Sequence, residues 1–181
     1  MPTTLELRRG VARLATLASV DLAALWRDAE TLQAALEPLN DALPALIEAY
    51  GAAAATYAAD WYDELRDERE LRGRFTAITA DLADAGTAAL LGWAATEATE
   101  LPAFQTLVQG GTQRRIANYA RLTISGSSVA DPQARGWQRV GDGSSCDFCS
   151  MLLGRGAVYT EATADFQAHD HCGCSAEPAW R

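Results

Sequence analysis

The chain has 181 residues, 22% of them charged and 49% hydrophobic, which excludes a disordered protein and gives length enough for a core without a disulfide framework. Its 24 acids outweigh 15 basic residues, all of them arginine, for a net charge of −9. Residues 1–110 carry 17 acids against 8 Arg, whereas residues 111–181 balance 7 against 7, a distribution that excludes a general nucleic-acid binder with a basic footprint.

The first 125 residues read as helix. Leu5, Val11, Leu14, Leu17, Leu22, Leu25 and Trp26 recur at helical spacing. Val11–Val20 is interrupted by Arg13, and Glu6 precedes the basic pair, so a secretory signal is not expected and a reducing cytoplasm is. No charge-free apolar run reaches about 18 residues, so no membrane span is expected either. Asp21 is the predicted N-cap of a second helix, with Ser19 its rival, and Pro38 and Pro44 bracket a predicted break. A long helix follows over about 44–69, with Leu46, Ala49, Tyr50, Ala53, Tyr57, Trp61 and Leu65 as its stripe. Its acidic end, 60–70, reads as an exposed face. A further helix is predicted over about 75–98, and Pro102 opens the next, in which Gly110-Gly111 marks a break or kink. Arg114 and Arg115 on that helix read as a solvated or docking face. Trp26, Trp61 and Trp93 read as core.

The texture then changes. The stretch SGSSVADPQARG gives a predicted linker over 126–136 between a helical lobe, 1–125, and a small module, 137–181. Within the module 137–140, 157–159 and 174–180 read as short strands. Arg155, between Gly154 and Gly156, reads as a solvated turn residue, and Trp137 and Trp180 as the module's cover.

All four cysteines and both histidines lie in the module: Cys146-x2-Cys149, then His169-x-His171-Cys172-x-Cys174. A C-x2-C loop presents two thiolates to one ion, and a returning segment completes a tetrahedron. Such a staple replaces the core that a module of about 45 residues lacks. Disulfides fit a reducing compartment poorly, and the setting of a thioredoxin-like redox motif is missing. No paired carboxylates, phosphate loop or Ser/His/Asp set stands out, so no catalytic residue is assigned.

The C-terminal third resembles the Mu F-like minor capsid (head morphogenesis) proteins of tailed phages, especially actinophage forms. The resemblance lies in Trp137, Gly141–Gly143, Cys146 and Cys149, Gly154-Arg155-Gly156, Val158-Tyr159, His169, Cys172, Cys174 and the tail Glu177–Trp180. The segments LAALW (22–26), ALIEAYGAAAA (45–55) and ADWYDELR (59–66) are similar to the helical lobe of those forms. Gly173 departs from the arginine frequent between the last two cysteines. In this register His169 matches the family histidine and His171 falls at a variable position.

The expectation is therefore a mainly α protein with a helical N-terminal lobe and a small zinc-stapled α+β C-terminal module. Structural zinc is expected on four of Cys146, Cys149, His169, Cys172 and Cys174. What the resemblance implies is a non-enzymatic, internal head component near the portal, in contact with portal or major capsid protein. It would act in head assembly, with several copies per virion and no membrane or specific nucleic-acid partner, residing in host cytoplasm during assembly. The alternative is a zinc-stabilised interaction module or toxin-like enzyme of prophage origin.

Overall fold

The computed structural model describes residues 2–82, 85–141, 143, 146–160, 166 and 168–181. The elements run α1 (Thr4–Leu25), α2 (Leu32–Glu68), α3 (Thr87–Glu97), α4 (Leu101–Ala130), β1 (Ala134–Val140), α5 (Asp147–Leu153) and β2 (Ser175–Trp180). Of the described residues 63% are helical, in keeping with the mainly α expectation.

α1 starts at a capping box: Glu6 N donates to Thr3 Oγ1 at 3.2 Å, and Thr3 N donates to Glu6 Oε2 at 2.7 Å. It buries Leu7, Val11, Ala15, Ala18 and Leu22, one stripe at intervals of three and four. Neither predicted N-cap at its far end serves as one. Ser19 Oγ donates back to Ala15 O at 2.9 Å, and Asp21 accepts from Tyr50 OH at 2.6 Å, so both lie inside α1. α2 starts instead after Thr31, whose hydroxyl accepts from Ala34 N at 3.2 Å. The predicted break at Pro38 and Pro44 is absent. Each proline removes one helical N–H, and the buried row Leu39, Leu43, Ile47 holds the helix continuous across both.

The helix predicted from 75 begins only at Thr87. Before it, 75–82 is an extended strap laid along α4. Ile78 N donates to Ser127 Oγ and Ala80 N to Thr123 Oγ1, both at 2.9 Å, and Ala77 N donates to Asp63 Oδ1 of α2 at 2.8 Å. Side chains of two helices thus take donors that a helix would have satisfied internally. The outcome also revises the acidic run, where Asp63 has a structural partner and Arg66 is buried.

α4 continues through Gly110-Gly111. A Cβ at Gly111 would lie 2.3 Å from Leu90 Cδ1, so the glycine lets α3 approach. It continues also into the predicted linker. Residues 126–130 are its last turn, with Ser127 and Ser128 buried, and Ser128 Oγ back-bonds to Ile124 O at 2.7 Å. A tight turn at Asp131 then leads into β1. Asp131 is buried and accepts from Arg66 Nε at 2.6 Å, Arg66 Nη2 at 3.2 Å and Tyr62 OH at 3.2 Å, which ties the end of α2 to the α4–β1 turn. Burial, reinforced by the Asp131 charge, pushes the Tyr62 hydroxyl far above its ordinary pKa.

β1 and β2 pair antiparallel, with Trp137 opposite Pro178, Arg139 opposite Ala176 and a bulge between Ala134 and Gly136. Gly136 has φ +128°, and a Cβ there would sit 2.2 Å from Tyr159 O, so both conformation and space require glycine. Of the predicted strand 157–159 only an isolated bridge, Tyr159 with Trp137, is found. Trp93 is 45% exposed, against its predicted core role, while Trp26, Trp61 and Trp137 are buried.

Trp137, Cys149, Tyr159, Phe166, Cys174 and Ala176 share one core cluster with Leu7, Ala58, Tyr62, Ile116 and Ile124. The cysteine-bearing segment therefore packs directly on the helices. Thr4 Oγ1 adds a bond to Glu177 Oε2 at 2.6 Å, and Arg8 Nη1 one to Gly141 O at 2.8 Å. Among the described residues no helix is long and apolar enough to cross a membrane.

Candidate metal centre

Cys146 is the N-cap of α5: its Sγ accepts from Cys149 N at 3.5 Å, which sets both sulfurs of the C-x2-C motif on one side of the first turn. Cys172 and Cys174 flank Gly173 where the chain enters β2. The returning segment brings His169 Nε2 to 3.1 Å from Cys146 Sγ and 3.9 Å from Cys149 Sγ, and Cys172 Sγ to 3.7 Å from Cys149 Sγ. The candidate ligands form two trios, Cys146–Cys149–His169 and Cys149–Cys172–Cys174, each with its ligand atoms within 4.8 Å of one another. Cys149 belongs to both. All five residues singled out in the sequence thus come together. His171 joins neither trio; its Nε2 faces α4, where a Cβ at Gly110 would lie 2.7 Å away. Asp142, within the Gly141–Gly143 turn of the motif, lies outside the described residues.

The donor set has metal-site chemistry. The four cysteines form no disulfide, and a 3.7 Å sulfur pair is far beyond the ~2.05 Å of one. Zn–S bonds of ~2.3 Å in a tetrahedron give a sulfur–sulfur edge of about 3.8 Å, close to that separation. His169 Nδ1 lies 2.7 Å from Asp170 O, so Nδ1 carries a proton and Nε2 is the nitrogen turned to the thiols, the orientation a metal-binding imidazole needs. That carbonyl contact, followed by Cys146, raises the His169 pKa.

The thiols divide by environment. The Cys149 N–H lowers the pKa of exposed Cys146, and burial raises that of Cys149. Cys172, hydrogen-bonded by Cys174 and near the Arg121 guanidinium, is held down to about 5. Cys174 moves the opposite way, first through its bond to Cys172 and then through burial. The two thiols thus titrate as a pair, the first proton leaving more easily than the second.

Two arginines that the sequence reading passed over stand behind the cluster. Buried Arg121 donates through Nε to Cys174 O at 3.0 Å and through Nη2 to Cys172 O, fixing the loop that carries both thiols. Burial lowers its pKa to about 10. Arg139 Nη1 lies 3.9 Å from Cys149 Sγ, with its guanidinium 3.9 Å over the Phe166 ring. Phe166 and Tyr159 stack on Trp137 at 5.5 and 4.4 Å, walling the site on its inner side. Both arginines had a signal. Arg121 falls on the Ala117–Ile124–Ser128 stripe of α4, and Arg139 shares a strand face with Trp137.

Arg114 and Arg115, read as a solvated or docking face, have structural partners. Arg114 Nε pairs with Asp170 Oδ1 at 3.0 Å, and Arg115 Nε and Nη2 donate to Ala85 O and Gly86 O at 2.6 and 2.9 Å.

Compared with known proteins, residues 3–181 match the family model described as VG15 protein. No curated protein matches the chain, and no solved structure does.

Proposed function

The chain belongs to the VG15 family of viral proteins, matched over residues 3–181, and from that membership we propose that it is a structural minor capsid protein of a tailed phage. In this reading it sits inside the head near the portal, acts in head assembly rather than catalysis, and touches portal or major capsid protein. The carrying observation is that one viral family model spans both the helices and the Cys146–Cys174 cluster. The Mu F-like pattern of that cluster supports the finer assignment. Zinc would be held by Cys149 and three of Cys146, His169, Cys172 and Cys174, with protein ligands filling the site as in structural zinc centres. When bound, it supplies a crosslink between α5 and the segment entering β2. Arg121 orients that segment through its carbonyls, and the Trp137–Phe166 wall excludes water on the inner side.

The test is particle composition. In gradient-purified virions of a phage carrying this gene, mass spectrometry should find the chain, protected from added protease until the heads are opened. An amber mutation in the gene should lower the yield of filled heads. Absence from purified particles, or digestion in intact ones, would overturn the reading.

A further inference from the structure

Four of the arginines of this acidic chain converge on one groove. It lies between the first half of α1, the middle of α4 and the 171–175 loop, with a volume of about 450 Å³. Arg8, Arg9, Arg114 and Arg121 line it, and among the described residues no carboxylate does. Asp170 pairs with Arg114 at the edge and offsets one charge. Arg121 is committed to the carbonyls of the loop. Arg8 gives Nη1 to Gly141 O, while its buried Nε finds no hydrogen-bond partner among the described residues. Between these cations the floor is apolar, formed by Val11, Ala12, Ala15, Ala117 and Ala120.

We propose that this groove binds a short segment of a partner protein in which carboxylates alternate with apolar side chains. The cations recognise the first and the alanine floor seats the second. A nucleic acid fits less well. A phosphodiester backbone has nothing to place on an apolar floor, and a long polyanion meets the repulsion of a chain with net charge −9. A short segment senses chiefly the groove, because the screening length at physiological salt is about 8 Å. A second copy fits less well too. Its exposed acidic end of α2 offers Asp60, Glu64, Asp67 and Glu68, but the apolar residues between them, Trp61 and Leu65, are buried in their own core. The inference rests on the assembly reading for the existence of a protein partner, and on the groove alone for that partner's chemistry.

The experiment is a fluorescence-anisotropy titration of the full chain into a labelled peptide of alternating glutamate and leucine. Saturable one-to-one binding that weakens with added salt is expected. Arg9→Glu and Arg114→Glu should each weaken it roughly tenfold. Ala12→Trp should do the same roughly tenfold by filling the floor without changing charge. Arg13→Glu, which does not line the groove, should change it less than about twofold. Arg9, Ala12 and Arg13 are exposed, and circular dichroism checks that each variant keeps its helix content. Several results would each overturn the proposal: no binding, equal binding of a lysine–leucine peptide, an equal loss in Arg13→Glu, or tighter binding of a DNA duplex. A chain that enters virions without binding the peptide removes the groove and leaves the capsid reading. Peptide binding by a chain absent from virions does the reverse.

Discussion

Asp131 ties the end of α2 to the turn that opens β1. It is buried and neutralises buried Arg66, and it also accepts from Tyr62 and from the Gln133 N–H at 2.9 Å. Asp131→Ala should lower unfolding stability by about 3–5 kcal/mol, because it strands a buried guanidinium. Urea denaturation followed at 222 nm checks this, and a loss below about 1 kcal/mol, the scale of an exposed pair, would show that water solvates Arg66. At this scale the sequence was legible where residue type carries chemistry. Cysteine and histidine in a C-x2-C and H-x-H-C-x-C pattern announce themselves. Asp131 and Arg121 do not, because a charged residue in a helical or turn pattern reads as solvated. Their partners lie 65 and 53 positions away in sequence, where no local spacing reveals them.

Among the elements, α5 and the segment entering β2 are short, and their mutual contact runs through the cysteines. Cys149 occurs in both ligand trios, so its sulfur lies within 4.8 Å of the ligand atom of each of the other four candidates. Cys149→Ser should therefore abolish stoichiometric zinc, read by elemental mass spectrometry on purified protein. At least one of Cys146→Ser, Cys172→Ser and Cys174→Ser should retain part of it. Full zinc in Cys149→Ser would refute the site. The helices themselves were readable from their apolar stripes, but their ends were not. Pro38 and Pro44 look like breakers, and Gly110-Gly111 like a hinge, until the packing that offsets them is seen. The 75–82 strap reads as helix in sequence because Thr123 and Ser127, which hold its backbone, belong to an element some 45 residues later. The Ser-rich end of α4 reads as a linker because buried serines that bond their own helix cannot be told from solvated ones by composition.

At the scale of the whole molecule, the cysteine-bearing segment and the helices share one core, so they should melt together. Stripping metal with a chelator should lower the midpoint of the far-ultraviolet and tryptophan-fluorescence transitions by the same amount. Two separated transitions would show that the module unfolds independently of the helices. The same shared core governs the order in which the chain can be completed. Leu7, Ala58 and Ile116 are synthesised long before Trp137, Cys174 and Ala176, which cover them. Thr4 and its partner Glu177 are 173 positions apart. At ribosomal rates of about 5–20 residues per second, the helical face stays bare for several seconds before β2 emerges. A nascent chain in that interval presents the surface that chaperones hold.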